Sequence, residues 1–484
     1  MALMDTVRAE RLAKIARLKE AGMEAYPART SRTHAVGQFL ENHETLQKNS
    51  EQVMLAGRVM SMREHGGSLF VDLFDGAKGQ CYVQRDKLGE SSYDLFGGTV
   101  DTGDIVEFTG MAFTTKRGVP SLDVTGWRML TKSLRPLPDE WFGIKDEDER
   151  FRKRYLDILL TKDLAERIRR RSKFWNVIRS YLLERDFIEV ETPVLETTTG
   201  GADARPFKTH HNALDMDIYL RISTGELWQK RLMVAGLPKV FEIGRVFRNE
   251  GMSHEHAQDY TAIEFYEAFK DYEAGMEMVM DLYRTVADKV YGTRVFTIKD
   301  CTIDLGKGWE TYDFCALMLK EYGLDPHDEK ADWSAVLEKR NIPFEKNVGV
   351  ERLVDVAWKQ IRKKLSGPGF LINVPVYMEP LAKKSAKDPR VVERFQVMIA
   401  GSEIGKGFSE LNDPIDQAER FQCQQQLREA GDEEAQMPDA EFVEALEYGM
   451  PPAFGFGVSE RLFSFLEGVS VREGQIFPLM RPRQ

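Results

Sequence analysis

The residue types best suited to chemistry are concentrated in Val240–Phe269, VFEIGRVFRNEGMSHEHAQDYTAIEFYEAF. Val240–Arg248 alternates Phe241, Ile243, Arg245 and Phe247 with Glu242, Gly244, Val246 and Arg248. Tyr260–Phe269 sets Ala262, Glu264, Tyr266 and Ala268 against Ile263, Phe265 and Phe269. Both runs read as strands, and Glu264 and Tyr266 point the same way. A buried carboxylate is costly unless paired, so a cation is expected beside Glu264, from a side chain or from a ligand. The polar connection Asn249–Asp259 carries Arg248, Glu250, His254, Glu255 and His256 at or near its base. Its 11 residues exceed an ordinary hairpin turn and suggest a working loop. A surface hairpin with solvated charges fits the same residues.

Other candidates are scattered along the chain. Gly200 and Gly201 in TTTGGADARPFKTHH allow close backbone approach to a ligand. His210 and His211 are neighbours on a strand and face opposite ways, which argues against a shared metal. Glu226 opens a helix, where negative charge is favourable without any ligand. Glu403 and Glu410 stand seven apart in ERFQVMIAGSEIGKGFSELN, separated by Gly405, Gly407 and Phe408. Within it GSEIGKG approaches a phosphate-binding loop, but the spacing is one residue short and Gly407 stands where Ser or Thr is required. Gly455 and Gly457 precede a helix bearing Arg461, a weak signal taken alone.

The elements that must position these residues belong to a chain of 484 residues, long enough for two or more domains. Apolar content of 42% and charged content of 30% are those of a globular protein. Membrane spans and an export signal are not expected. Cys81, Cys301, Cys315 and Cys423 have no zinc or C-x-x-C spacing and read as reduced thiols of a cytoplasmic protein. A net charge of −11 excludes indiscriminate nucleic-acid binding but leaves room for a local basic face.

An amphipathic helical extension is expected over residues 1–50, either a surface helix or a basic arm for a nucleic-acid partner. Over 51–135, five short strand-like runs with glycine-rich turns predict a small barrel of the oligonucleotide-binding type. Arg63, Phe70 and Gln80 lie on its first three runs, an aromatic with a basic and an amide group, as suits stacking and edge-reading of unpaired bases. Composition alone favours Phe70 as core. A proline-containing linker over 136–150 leads into a second domain, 151–484, with a mainly helical insertion at about 271–367. A long helix at Leu164–Arg185 with a basic outer face and a strand at Ile188–Thr192, ending at Pro193, open that domain.

FRNEG, a polar loop and an aromatic-acidic strand resemble motif 2 of the class II aminoacyl-tRNA synthetases. The wording EIGRVFRNEG…DYTAIEFYEAF is most similar to the bacterial-type lysyl branch of class IIb. The helix, strand and Pro193 resemble motif 1, the dimer interface, and GMPPAFGFGVSERLFSFLEG resembles motif 3. The resemblance runs from about residue 8 to the C-terminus. It implies an α+β architecture, an oligonucleotide-binding barrel plus an antiparallel sheet flanked by helices, working as a homodimer in the cytoplasm.

The resemblance also implies roles. Arg248 would clamp the ATP α-phosphate and the amino-acid carboxylate, Glu250 and His256 would touch ATP, Tyr260 would stack on adenine, and Arg461 would hold the γ-phosphate. The lysine pocket would comprise Gly200, Glu226, Arg248, Glu264, Tyr266, Phe408 and Glu410, with Glu226 on the α-amino group and Glu410 on the ε-ammonium. Arg63, Phe70 and Gln80 would read the central uridine of the anticodon, which reverses the core reading of Phe70. Mg²⁺ would arrive with ATP at Glu403. Gln396 stands where a second glutamate is usual and Lys406 where an asparagine is usual, leaving this region two units less negative than the family pattern. The chain also has one residue more than the common wording just before Glu226.

The implied reaction is ligation of L-lysine to tRNA(Lys) through lysyl-adenylate. An aspartyl or asparaginyl relative shares the barrel and motifs, but two acidic groups and Tyr266 suit a cationic side chain better. A paralogue that only binds RNA is the other alternative.

Overall fold

The computed structural model describes residues 2–138, 146–251, 256–328, 330–346 and 348–483. The chain divides into two compact units, residues 1–160 and 161–484. Residues 139–145 of the expected linker lie outside the described residues, as do His254 and Glu255 of the loop.

In the first unit five strands close a barrel: β1 (Gln52–His65), β2 (Ser68–Phe74), β3 (Lys78–Gln84), β4 (Ile105–Thr114) and β5 (Pro120–Thr131), in the order β1-β2-β3-β5-β4. Alternation drives it. Val71, Leu73, Cys81, Val83, Leu122 and Val124 turn inward and are sealed from solvent, while Phe70, Gln80 and Tyr82 on the same strands face outward. The leading helix, Ala2–Glu20, spends basic residues on the barrel: Arg11 donates to the carbonyls of Ser133 and Thr102, and Lys14 pairs with Asp101 at 2.5 Å. Those cations serve attachment rather than an arm reaching outward.

The second unit is built on an eight-stranded sheet. Its strands are β6 (Ile188–Glu189), β7 (Lys239–Phe247), β8 (Asp259–Ala268), β9 (Glu310–Asp313), β10 (Gly369–Ile372), β11 (Arg394–Ile399), β12 (Ser402–Ser409) and β13 (Ala453–Ser459). They run in the order β9-β10-β11-β12-β13-β8-β7-β6. The pairings are antiparallel except at the two edges, where β9 pairs with β10 and β6 with β7 in parallel.

One face of this sheet presents Phe241, Ile263, Phe265, Phe395 and Phe456 to the helices α1 (Lys162–Leu183) and α3 (Tyr272–Val286). The expected alternation of the motif 2 strands is what separates this apolar layer from Glu264 and Tyr266 on the opposite face. Phe269, expected to continue the apolar side, lies just past the end of β8 and is exposed.

The expected strand Ile188–Thr192 is only two residues long, because Thr192 turns to donate through its N–H and hydroxyl to the buried Glu242 carboxylate. The stretch 271–367 differs from a separate helical insertion. Helix α3 covers the sheet core, and β9 is an edge strand of the main sheet. The short lengths and mixed polarity of Val295–Ile298, Cys301–Asp304 and β9 hide them in the sequence among charged helical segments.

Candidate active site and candidate nucleic-acid interface

The face of the sheet opposite the aromatic layer borders a cavity of about 540 Å³ within the second unit. Arg248, Glu250, His256, Tyr260, Glu403 and Arg461 all line it, as do Glu226, Glu264, Tyr266, Phe408 and Glu410. Gly200 does not. Its neighbour Gly201 does, while Gly200 packs against the Leu227 side chain and accepts a hydrogen bond from Ser223 through its carbonyl. Two consecutive glycines gave the sequence no means of telling which one borders the space.

Each functional side chain is set by its element. Arg248 directly follows β7; its N–H donates to the Gln258 carbonyl at 2.7 Å and its Nε to that of Ile222 at 3.3 Å. Its guanidinium carbon lies 5.7 Å from the centre of the Tyr260 ring. Helix α2 (Glu226–Val234) begins at Glu226, as expected. Gly225, just before it, caps the helix at φ 73°, a left-handed conformation that glycine adopts without strain. Arg461 opens the helix after β13 and donates from Nη1 to the Glu403 carbonyl at 3.1 Å.

Three carboxylates meet at one end of the cavity. Glu264 accepts from the Thr224 N–H at 2.9 Å and from the Tyr266 hydroxyl at 3.1 Å. Burial, reinforced by Glu226, pushes its carboxyl up to about 7. Glu410, 1% exposed, lies 2.5 Å from the Lys230 ammonium through one oxygen, while the other oxygen has no hydrogen-bond partner. Burial also pushes its carboxyl up, with Lys230 opposing. Lys230 is itself sealed from solvent and reaches Glu226 at 2.8 Å. Burial works against its charge, but Glu226 and Glu410 outweigh it and hold the ammonium protonated. The rings of Phe408 and Tyr266 face its Nζ at 5.3 and 6.0 Å.

Sequence reading missed Lys230, although its spacing was legible. Four residues after Glu226 on a helix is the distance at which a glutamate meets a lysine. The cation expected beside Glu264 is not a direct side-chain partner: among the described residues the nearby ammonium pairs with Glu226 and Glu410 instead. Three carboxylates against one ammonium leave two negative charges in excess when all are ionised.

The lining continues with Glu403, Gln396, Lys406 and two residues without a sequence signal, Glu379 and Arg394. Glu403 accepts from Trp358 Nε1 at 2.7 Å through one oxygen, and the other lies 3.8 Å from Arg362. Its side chain stays 31% exposed. Lys406 pairs with Glu379 at 3.1 Å, so its charge is partly offset rather than wholly directed at a ligand. Among the described residues no group of three or more His, Cys, Asp or Glu is arranged to hold a metal by itself.

On the barrel, Arg63, Phe70 and Gln80 do share the outer face. Arg63 lies opposite Phe70 in register, and Asp72 opposite Gln80. Phe70 is half-buried and stacks on Tyr82, with ring centres 4.6 Å apart and planes 25° from parallel. The Arg63 side chain is 61% exposed and 3.2 Å from Asp72. Gln80 accepts from the Ser121 hydroxyl at 3.0 Å, leaving its amide N–H groups for another partner. Tyr82, not singled out in the sequence, extends the aromatic surface. Its pairing opposite Phe70 depends on strand register, which no local pattern announces.

Residues 146–481 match the model of a family described as tRNA synthetases class II (D, K and N), and residues 53–130 match one described as OB-fold nucleic acid binding domain. The chain is similar along its length to proteins named lysine–tRNA ligase. The one from Moorella thermoacetica is 42% identical, covering 99% of this chain and 99% of the relative. Those from Thermosipho africanus and Roseiflexus castenholzii are each 40% identical, covering 99% of this chain and 97% and 100% of theirs.

Proposed function

The chain belongs to the class II tRNA synthetases of the D, K and N group, and from that membership we propose how its residues ligate L-lysine to tRNA(Lys). The observation that carries the choice of amino acid is the charge balance at the acidic end of the cavity. When ionised, Glu226, Glu264 and Glu410 exceed Lys230 by two negative charges, matching the two ammonium groups of lysine. Aspartate or asparagine would bring a single ammonium and an acidic or neutral side chain, leaving buried carboxylates unpaired.

Arg248 holds the α-carboxylate of lysine and the α-phosphate of ATP together. The carboxylate oxygen attacks the α-phosphorus in line, pyrophosphate leaves, and lysyl-adenylate forms. The terminal ribose hydroxyl of the tRNA then attacks the lysyl carbonyl and AMP departs. No protein nucleophile is needed. The protein supplies position, and positive charge where phosphate charge develops, chiefly from Arg248 and Arg461. Tyr260 stacks on adenine, Glu250 and His256 contact the nucleotide, and Arg461 holds the γ-phosphate.

Mg²⁺ fits this reading at Glu403, whose partly exposed carboxylate is a hard oxygen donor of the kind that shares the ion with substrate phosphates. Bound there, it would neutralise phosphate charge.

Residues 51–135 form the anticodon-binding domain in this reading, with Arg63, Phe70 and Gln80 on the central uridine, and 151–484 the catalytic domain. A homodimer through the segment around β6 is supported by the exposed apolar side chains of Leu183, Ile188, Val194 and Leu195. Cytoplasmic placement follows from the activity. Among the described residues no helix is long and apolar enough to cross a membrane.

ATP–pyrophosphate exchange with each amino acid in turn tests the reading. Exchange with lysine alone is expected. Exchange with aspartate or asparagine would move the chain to a sister specificity, and RNA binding without any exchange would make it a binding paralogue.

A further inference from the structure

One wall of the cavity is organised around a buried carboxylate that touches no expected substrate group. Glu379 holds two cations at once: Arg394 Nη1 at 2.5 Å on one oxygen and Lys406 Nζ at 3.1 Å on the other. Burial alone would raise its carboxyl, but the two cations outweigh that and keep it ionised. The second arm of Arg394, Nη2, donates to Gln396 Oε1 at 2.6 Å. A guanidinium has only donors, so this bond fixes the orientation of the amide: the oxygen is turned to Arg394 and the NH₂ is turned away from it. Gln396 is 8% exposed and borders the cavity, directly across the β11–β12 ladder from Lys406, whose side chain remains 42% exposed. Asp203, also on this wall, accepts from Gln436 at 3.2 Å, and burial pushes its carboxyl up. Within this cluster Arg394 and Lys406 against Glu379 leave one positive charge in excess, with Asp203 and Glu403 as the neighbouring carboxylates.

We propose that Gln396 Nε2 and Lys406 Nζ form an anion subsite that takes a phosphate oxygen of ATP, with Gln396 as a hydrogen-bond donor and not a ligand of Mg²⁺. A cation ligand at position 396 does not fit, because the side-chain oxygen of Gln396 faces the Arg394 guanidinium, whose positive charge opposes a second cation on the same atom. Lys406 supplies charge without directional ligands, as a lysine does beside phosphate. Arg394 and Glu379 keep the amide from flipping. The inference rests on the reading of this cavity as the ATP site.

The other anionic oxygen available is the α-carboxylate of lysine, and the experiment separates the two. Binding of a non-hydrolysable ATP analogue, and separately of lysine, is measured by calorimetry on the full chain, in EDTA and in excess Mg²⁺. Gln396→Met, which removes the donor without adding charge, is expected to weaken the metal-free analogue about tenfold or more. Gln396→Glu, which presents an acceptor to the phosphate, should weaken it at least as much in EDTA and recover when Mg²⁺ is added, a larger metal dependence than the parent shows. Lysine binding alone should be unchanged in both.

Metal-free analogue binding equal to the parent's in either folded variant overturns the assignment. So does a loss confined to lysine, which would hand the subsite to the carboxylate. Equal loss by Gln396→Glu with and without Mg²⁺ would reduce the residue to a packing role. If the parent binds no analogue even with Mg²⁺, the ATP reading of the cavity fails and takes the inference with it.

Discussion

Gly455→Ala probes the acidic pocket without altering any charge. Gly455 lies on β13, directly opposite Tyr266 of β8. A Cβ there would sit 2.5 and 2.7 Å from two Tyr266 ring carbons and closer still to Glu410 Oε1. Carbon atoms at ease lie roughly 3.5–4.0 Å apart, so the new methyl is about 1 Å too near two buried groups. Neither can retreat freely. Tyr266 is 3% exposed and its hydroxyl bonds Glu264, while Glu410 is held by Lys230. Swinging Glu410 away would break a buried ion pair at a cost of about 3–5 kcal/mol, whereas shifting the ring and strand costs about 1–3 kcal/mol, the usual range for overpacking. The cheaper route sets the expectation.

If that strain falls on the lysine-bound state, the KM for lysine rises by roughly 5–150-fold, at 1.4 kcal/mol per tenfold. The KM for ATP should stay within about threefold, because Arg248 and Arg461 are anchored by other contacts. Lysine-dependent pyrophosphate exchange, with each substrate titrated at saturating levels of the other, measures both. An unchanged lysine KM, or equal rises in both KM values, would refute the assignment of this pocket to the amino acid.

Lysine affinity should fall as pH drops through about 7. Burial raises the Glu264 carboxyl to that value, and only the ionised form pairs with an ammonium. The slope should approach tenfold per unit, and a flat affinity between about pH 6 and 8, by calorimetry, would contradict it. In the free protein the same group works the other way: its folded pKa lies above the ordinary 4.5, so its contribution to stability is lost as pH rises from 4.5 to about 7. Phe70→Ala should leave pyrophosphate exchange intact and weaken tRNA charging by about 1–3 kcal/mol, the worth of a stacked base. Equal damage to exchange and charging would return Phe70 to the core. Lys132→Met should destabilise the first unit by about 3–5 kcal/mol in urea unfolding, since the sealed Lys132 ammonium holds Asp101 at 2.5 Å and Asp104 at 2.6 Å. A loss under about 1 kcal/mol would show that the two carboxylates do not need it.

The sequence alone determined the motif 2 strands, their two faces and the glutamate that opens helix α2, because each rests on short-range periodicity and chain chemistry. It also determined the five-stranded barrel, for the same reason of alternation, whereas composition alone put Phe70 in the core and strand register sets it on the outer face with Arg63 and Gln80. Tertiary structure decided what could not be read locally. Lys230 enters the acidic pocket only because helix α2 packs beside the strand end that carries Glu410. Within 271–367, β9 takes its place because β10 offers it a partner, and Val295–Ile298 because Cys301–Asp304 does, not because of their own pattern. Gln396 looked like a weakened metal ligand while only its residue type was known. Its amide is turned the other way by Arg394, which Glu379 holds from 17 residues upstream of Gln396. Hydrogen-bond direction depends on which donor arrives at an acceptor, and that is fixed by packing between segments rather than by spacing along the chain.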